Sequence, residues 1–332
     1  MDKPLVSIVL PVYNAGVYLK EAIQSILDQT YTNIELIIIN DGSTDDSEKL
    51  IKSFTDDRIR YVYQQNTGLA GALNAGLKAS NGKYIARQDQ DDISLKERLQ
   101  KQVEFLEKHP NVNLLGTRAQ VFTDDQKEIK MHDHATEPAV LRFDLLFDNP
   151  FVHSSVMFRK ESIEKIGYYN TDRSYYEDFE LWSRFAFNGR VANLREVLVK
   201  YRHHDQGLSK STGYFKEDAV LNQSQLNIEK LIGKKEVRFD DLSAVYHFKE
   251  NRYKGTSLTD LRLALKEVSE KVQNEFPESK ALILDREQEY FKVIRYKLNY
   301  MDRKRFEGNV FKQFLLKVEM KIHGSHPYIV ND

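Results

Sequence analysis

Lys83-Tyr84-Ile85-Ala86-Arg87-Gln88-Asp89-Gln90-Asp91-Asp92 is the stretch that decides the fold of this chain. Tyr84, Ile85 and Ala86 form a short β-prone apolar run behind the turn signal Asn81-Gly82. Asp89, Asp91 and Asp92 follow at once. A strand that ends this way puts several negative charges at the carboxyl edge of a sheet, where open α/β sheets bind ligands. In an extended segment Asp89 and Asp91 share one face, and Asp92 points away. Like charges this close repel unless a cation lies between them. Mg²⁺ and Mn²⁺ are hard ions that take oxygen ligands, so the pair suits either one. The competing reading is a solvated acidic loop in which Asp92 or Ser94 caps the next helix.

Upstream, the chain alternates between strand and helix signals. Leu5 to Leu10 reads as a buried strand stopped by Pro11, and Asn14 is placed to cap a helix carrying Leu19, Ala22, Ile23, Ile26 and Leu27. Ile34 to Ile39 is a continuous apolar run, the mark of a parallel strand covered on both faces. Asn40-Asp41-Gly42-Ser43-Thr44-Asp45 turns into a helix over Ser47 to Phe54, Ile59 to Tyr63 is another strand, and Leu69 to Ala79 a helix of small residues. This order predicts an α/β fold with a doubly wound, mostly parallel central sheet flanked by helices.

Downstream, Leu95 to Lys108 is an amphipathic helix, Val112 to Gly116 a strand and Phe151 to Phe158 a strand. Glu161 to Ile166 and Asp178 to Asn188 read as helices, and Val197 to Arg202 as the last strand. Past about Ser211 the chain turns to long charged helical stretches. We expect an α/β domain over 1–210, with halves 1–110 and 111–210, and a mainly helical C-terminal extension over 211–332.

The bulk numbers exclude several classes. Among 332 residues, 49 Lys and Arg face 50 Asp and Glu, which gives no uniform field for nucleic acid. The charge is unevenly spread: acids exceed bases by about five over residues 1–209, and bases exceed acids by about four over 210–332. With no Cys, disulfides, thiol catalysis and thiolate zinc sites are ruled out. No apolar run approaches the roughly 18–20 residues of a membrane helix. No basic leader precedes the first strand, so the expected location is cytoplasmic.

Other candidate chemistry lies just past predicted strands. The turn Pro11-Val12-Tyr13-Asn14 is not the glycine fingerprint of a dinucleotide fold, and no Gly-x-x-x-x-Gly-Lys-Ser/Thr loop occurs. An aromatic at Tyr13 and a carboxylate at Asp41 suit a nucleobase, one stacking and the other accepting N–H bonds. An ordinary Asp-Gly turn explains Asp41 equally well. Tyr175-Tyr176-Glu177-Asp178-Phe179-Glu180-Leu181-Trp182 sets acids among aromatics at a helix start. Partial desolvation there strengthens a carboxylate as a base, although capping and dipole pairing also account for acids at that place. Tyr201-Arg202-His203-His204 brings imidazoles beside a guanidinium at a strand end, without a zinc spacing.

Taken in order, Pro11-Val12-Tyr13-Asn14, Asn40-Asp41-Gly42-Ser43-Thr44-Asp45, Asn66-Thr67-Gly68, Asn81 to Ala86 and Asp89-Gln90-Asp91-Asp92 resemble family 2 glycosyltransferases of the GT-A fold. His153-Ser154-Ser155, Glu177-Asp178 and Tyr201-Arg202-His203-His204 continue the likeness, which spans about residues 4–210. The resemblance implies inverting, metal-dependent transfer of a sugar from a nucleotide diphosphate sugar, UDP-linked in the family's usual case, to a saccharide hydroxyl. It also implies work in capsule, exopolysaccharide or lipopolysaccharide synthesis on an acceptor that can be lipid-linked. On this resemblance residues 1–110 become the nucleotide-binding half and 111–210 the acceptor side.

Carried over by position, Pro11, Tyr13, Asn14, Asp41, Asn66, Gly68, Asp89 and Gln90 would bind the nucleotide, Asp89 touching its ribose. Asp91, second acid of the DXD motif, would ligate Mn²⁺ or Mg²⁺ with His204, and the doubled histidine leaves His203 open for that place. Asp178 would be the general base, with Glu177 beside it. Arg202, His153 and Trp182 would lie on the diphosphate or acceptor side. Lys96 stands where a proline is common.

Three other readings compete. A nucleotidyltransferase needs a Gly-rich basic loop after the first strand, which is missing. A processive synthase needs membrane spans and a Gln-x-x-Arg-Trp segment, whereas the single Trp is Trp182. A non-catalytic nucleotide-sugar-binding or partner subunit would have no need to keep every carboxylate. In the extension, Val310, Phe311, Phe314, Leu315, Val318 and Ile322 recur at helical spacing, with Lys312, Lys317 and Lys321 largely outside the stripe. The stripe has two readings: peripheral contact with the inner face of an anionic membrane, or packing on the catalytic domain or in a homodimer.

Overall fold

Strands β1 (Val6–Val12) and β2 (Ile34–Asp41) are buried along their whole length, as unbroken apolar runs must be in a sheet covered on both faces. The computed structural model describes residues 3–125, 127–172, 176–204 and 213–305. β1 and β2 pair in parallel, Val6 opposite Ile34 and Val12 opposite Asn40. Strand β3 (Ile59–Gln64) extends the sheet beyond β2, and β4 (Tyr84–Arg87) flanks β1 on its other side, both in parallel. The remaining strands are β5 (Ile93–Ser94), β6 (Val112–Phe122), β7 (Glu128–His132), β8 (Met157–Arg159) and β9 (Arg190–Arg202). The sheet runs in the order 3-2-1-4-8-6-9-5, with β7 paired to β6 off this path. Only β5, β7 and β8 run against the others.

Helices cover both faces: α1 (Leu19–Leu27), α2 (Ser47–Lys52), α3 (Gly68–Ala79), α4 (Arg98–Lys108), α5 (Pro138–Asp144), α6 (Lys160–Ile166) and α7 (Glu177–Asn188). The two-residue period of a strand decides what each face receives. Val6, Ile8, Leu10 and Val12 pack with Leu19, Ile23 and Ile26 of α1 and with Leu99, Val103 and Leu106 of α4. Val9 turns the other way, to Leu73 and Leu77 of α3.

The chain divides into two compact units, Met1–Ser224 and Gln225–Asp332, and the division falls inside α8 (Gly213–Ile232). The second unit is helical where described: α9 (Val237–Tyr246), α10 (Leu258–Glu275) and α11 (Lys280–Arg305). Leu242, Val245, Leu261, Leu265, Val268, Ile283, Ile294 and Leu298 are buried there. The basic stripe from Val310 to Ile322 lies outside the described residues. Among the described residues no helix is long and apolar enough to cross a membrane.

Local structure departs from the sequence reading at several points. Pro11 does not stop β1, which runs on to Val12 with Pro11 opposite Ile39. The Val6 amide reaches the β2 side, and the Leu5 and Val9 carbonyls accept from Tyr84 and Gln88 on the β4 side. An amide at Pro11 would therefore point to the β4 side, where pairing has already ended at Val9, so the missing donor costs no ladder bond. Asn14 caps no helix: it has a positive φ of 47°, and a single turn over Gly16–Tyr18 precedes α1. Phe151 to Phe158 is not one strand. Ser155 bonds back to the Val152 carbonyl through both its amide and its hydroxyl, folding His153–Ser155 into a turn and leaving β8 only Met157–Arg159.

The approach of α3 to the sheet depends on Gly76. A Cβ there would stand 2.3 Å from Val9 Cγ1 and 3.4 Å from Ile39 Cγ1, and valine has little rotamer freedom with which to yield. Gly76→Ala is expected to destabilise the protein by about 1–3 kcal/mol, the usual cost of overpacking. Urea unfolding should show a lower midpoint at unchanged slope. An unaltered midpoint would mean that this contact does not set the spacing of α3.

Candidate active site

Pairing between β1 and β4 ends at Val9 and Arg87. The chain leaves β1 for β2 on one side and returns to β4 on the other, and such a reversal opens a crevice at the carboxyl ends of the strands. The loops around it are tied together. The Gln90 side chain bridges to the backbone of Tyr13, accepting from its N–H at 2.9 Å and donating to its carbonyl at 3.2 Å. Asn14 Oδ1 accepts from the Thr44 amide at 2.8 Å, and the Asn14 amide donates to Ser43 Oγ at 3.1 Å. The Gly68 amide donates to Asn66 Oδ1 at 3.1 Å, in a turn where Gly68 has φ +77°.

Above these ties Tyr13 is 48% exposed, while Asp41 is buried. Asp41 Oδ1 accepts from Gln64 Nε2 at 2.7 Å, the Thr67 amide at 2.9 Å and Thr67 Oγ1 at 3.2 Å. No hydrogen bond to Asp41 Oδ2 occurs among the described residues. An available ring and an anchored acceptor therefore flank one end of the crevice.

Asp89, Asp91 and Asp92 come together past β4, each offering an oxygen within 4.8 Å of the others. Asp92 does not point away. The chain leaves the extended conformation at Gln88, so strand alternation no longer applies. Asp92 turns inward to lie next to Ser154 Oγ at 2.5 Å and accepts the Arg202 amide at 2.8 Å on its other oxygen. Ser154 Oγ also lies 2.6 Å from Asp89 Oδ2, and one hydroxyl proton cannot serve two carboxylates.

The carboxyl pKa values resolve that conflict. Burial opposes charge on Asp89, but the Arg87 guanidinium and the Ser154 hydroxyl outweigh it and hold its carboxyl below the ordinary range. Asp92 is pushed well above that range, first by burial and then by Asp91 and Asp89. Asp91 is raised as well, by burial and Asp89, with His204 opposing. The unspent negative charge, on oxygen donors only, fits a hard divalent cation. Neither Asp92 nor Ser94 caps α4, whose N-cap is Glu97. Ser94 instead donates to Gln88 Oε1 at 2.7 Å, and Arg98 bonds Gln88, Ser94 and the Arg87 carbonyl, holding the loop closed.

The end of β9 closes one side of the cluster. His204 Nε2 lies 2.9 Å from Asp91 Oδ2, whereas the exposed His203 uses its backbone amide on Phe122. Arg202 is 6% exposed and its donors are engaged: Nε on the Asp91 carbonyl at 2.9 Å and a terminal nitrogen on Glu21 at 2.6 Å. Its guanidinium stacks against Tyr18 and Phe122 at 4.7 and 4.4 Å. Arg202 therefore braces the acid cluster.

The second acid pair opens α7. Glu177 is 7% exposed, while Asp178 stays partly exposed and accepts from Asn149 Nδ2 at 2.8 Å. Trp182, expected on the diphosphate or acceptor side, is fully buried among Phe151, His153, Phe158, Tyr169 and Phe185. Glu180 serves structure, gripping Arg184 through both carboxylate oxygens while Arg184 fastens the carbonyls of Ile166, Gly167 and Tyr168. Next to them Tyr169 O–H lies 2.9 Å from His153 Nε2. Burial pulls His153 well below its usual range, and Arg87 adds to this, so the ring is neutral.

Tyr169 joins the two acid sets. Burial raises its phenol well above 10, and although Arg87 opposes this, Asp178, Glu177 and Asp89 are all near enough to add to it. Sequence reasoning gave no role to Tyr169, Asn149 or Arg87. An arginine ending an apolar strand directly before three acids was a readable sign for Arg87, but nothing in the sequence marked the other two.

The chain matches the model of glycosyl transferase family 2 over residues 7–167. It is 32% identical over 282 residues to an uncharacterized glycosyltransferase of Haemophilus influenzae, covering 79% of this chain and 87% of that one. It is 33% identical over 217 residues to the amylovoran biosynthesis glycosyltransferase AmsE of Erwinia amylovora, covering 64% of this chain and 81% of that one. In fold it is similar to S. aureus TarS residues 1–349 in complex with UDP-GlcNAc, with a TM-score of 0.59 at 16% identity over 90% of this chain and 91% of that one. The mannosyltransferase PcManGT of Pyrobaculum calidifontis, in complex with GDP-Man and Mn²⁺, gives a TM-score of 0.56 at 15% identity over 93% and 89%.

The raised carboxyl of Asp92 has a measurable cost. Above about pH 4 the unfolded chain ionises this group freely, while the folded chain resists. Stability is therefore lost as pH rises from there through the raised value. Asp92→Asn keeps an acceptor for the Arg202 amide and removes the titration. In chelator, the variant should melt a few degrees above the wild type at pH 8, and the gap should narrow towards pH 4. A gap of the same size at both pH values would contradict the assignment.

Proposed function

The chain belongs to glycosyl transferase family 2, and from that membership we propose that it transfers a sugar from a UDP-sugar, with inversion, to a saccharide hydroxyl in surface-polysaccharide synthesis on the cytoplasmic side. The observation that carries this reading is the trio of carboxylates at the sheet's switch point, two of them held above their ordinary range. TarS with UDP-GlcNAc and PcManGT with GDP-Man support a nucleotide sugar as donor. AmsE, named for amylovoran biosynthesis, supports a polysaccharide as product.

In this reading Tyr13 stacks on the base, and Asp41 accepts its N–H through Oδ2. Asp91 and His204 are the residues that would hold Mn²⁺ or Mg²⁺, with Asp89 towards the ribose. When bound, such an ion neutralises charge on the leaving diphosphate. The acceptor oxygen attacks the anomeric carbon as the bond from that carbon to the phosphate oxygen breaks. UDP leaves with the bonding pair, and the hydroxyl proton passes to Asp178. The partial exposure of Asp178 favours it as the base over the buried Glu177.

Two measurements test this. By calorimetry, Asp91→Asn should lose most Mn²⁺-dependent affinity for UDP. Equal affinity in the variant and the wild type would remove Asp91 from the metal site. Release of UDP from whichever UDP-sugar most stabilises the protein against heat should fall about 10²–10⁴-fold in Asp178→Asn, the usual worth of a general base. UDP binding should persist in that variant. Full turnover there, together with loss in Glu177→Gln, would reverse the roles of the pair.

A further inference from the structure

The segment from Asn149 to Ser154 touches both acid sets. At one end Ser154 Oγ lies 2.6 Å from Asp89 Oδ2 and 2.5 Å from Asp92 Oδ2. At the other, Asn149 Nδ2 donates to Asp178 Oδ2 at 2.8 Å. The orientation of the Asn149 amide is settled by chemistry as well as by distance. Its Oδ1 accepts the Phe151 amide at 3.1 Å, so only the NH₂ end is left to face a carboxylate. Behind it, Asn193 Nδ2 holds the Pro150 carbonyl at 3.1 Å, and the Phe151 ring meets Trp182 at 6.4 Å between centroids.

Trp182 lies four residues after Asp178, so the two share one face of α7. The contact at Trp182 and the hydrogen bond at Asp178 therefore fasten the same segment to the same helix face. We propose that Asn149 is a positioning residue for Asp178, its side-chain amide setting which way the carboxylate presents itself to the attacking hydroxyl. This rests on Asp178 being the base. Asn149 acts through Asp178 and touches neither donor nor acceptor.

The experiment compares Asn149→Ala and Asn149→Asp, each alone and with Asp178→Asn. It reads UDP release, with water as acceptor, from the UDP-sugar that binds best in Mn²⁺. Asn149→Asp keeps the acceptor for the Phe151 amide and sets a repelling carboxylate where the donor was, while Asn149→Ala removes the donor without adding charge, so a loss shared by both reads aim rather than loop structure or charge. Both single variants should lower kcat about 10- to 100-fold, the order that a small misplacement of a reacting group costs, with KM for the donor and calorimetric affinity for UDP unchanged. In the Asp178→Asn background either change should cost less than about 2-fold, because the group being aimed is gone.

Wild-type kcat in Asn149→Asp would overturn the proposal, as would full additivity with Asp178→Asn. Retained turnover in Asp178→Asn alone would instead overturn the reading of Asp178 as base. The two failures are thus told apart.

Discussion

Three carboxylates within 4.8 Å of one another, past the end of a buried strand, are the constraint on which the rest of the α/β unit depends. Such a cluster repels itself and is held together here from several sides. Arg87, almost wholly buried, pairs with Asp89, and Ser154 bridges Asp89 and Asp92. The amide of Arg202 reaches Asp92, and His204 covers Asp91. These compensating groups are costly to bury on their own, since a guanidinium out of water needs partners of good geometry. Cluster and cage therefore stand or fall together.

The cage explains features of the sheet that would otherwise look irregular. β8 is short because the residues before it must turn to deliver Ser154. β9 is long because it must carry Arg202 and His204 as far as the acid loop while β5 pairs with its far edge. Arg98 is buried in α4 with five donor contacts, to Gln88, Ser94, Gln102, and the carbonyls of Arg87 and Val156. Burial and the neighbouring Arg87 pull its pKa down to about 9, which still leaves it charged at neutral pH. The contacts of the loop thus come from segments as far apart as Tyr13 and His204, so its shape exists only once the sheet has formed.

Much of this was legible in the sequence wherever a strand or helix period applied. Ile34 to Ile39 could only be a strand covered on both faces, and the acids after Ala86 could only lie at a carboxyl edge. Legibility stopped where the chain left regular structure. Asp92 was read by strand alternation although β4 ends at Arg87, and Pro11 by its missing amide without knowing that pairing with β4 had already ended beside it. The sequence could not show Glu21 and the Asp91 carbonyl holding the donors of Arg202. Asn149 carried no signal, since an Asn-Pro pair in a loop reads as a turn.

Trp182 has a structural place that the sequence alone did not show. An aromatic beside an acid pair invites a role in binding, and a variant that lost activity there would look like a lost contact. The ring is wholly buried, however, and packs against residues from the 151–158 segment and Tyr169. Because Asp178 lies one helical turn away on the same face, the packing of Trp182 fixes the rotation of α7 and with it the direction in which the carboxylate points. Dense interiors transmit such constraints because side chains have few alternative arrangements. The apolar core and the Asp178 carboxylate are thus joined through one helix, and Trp182 bears on that carboxylate from within the core.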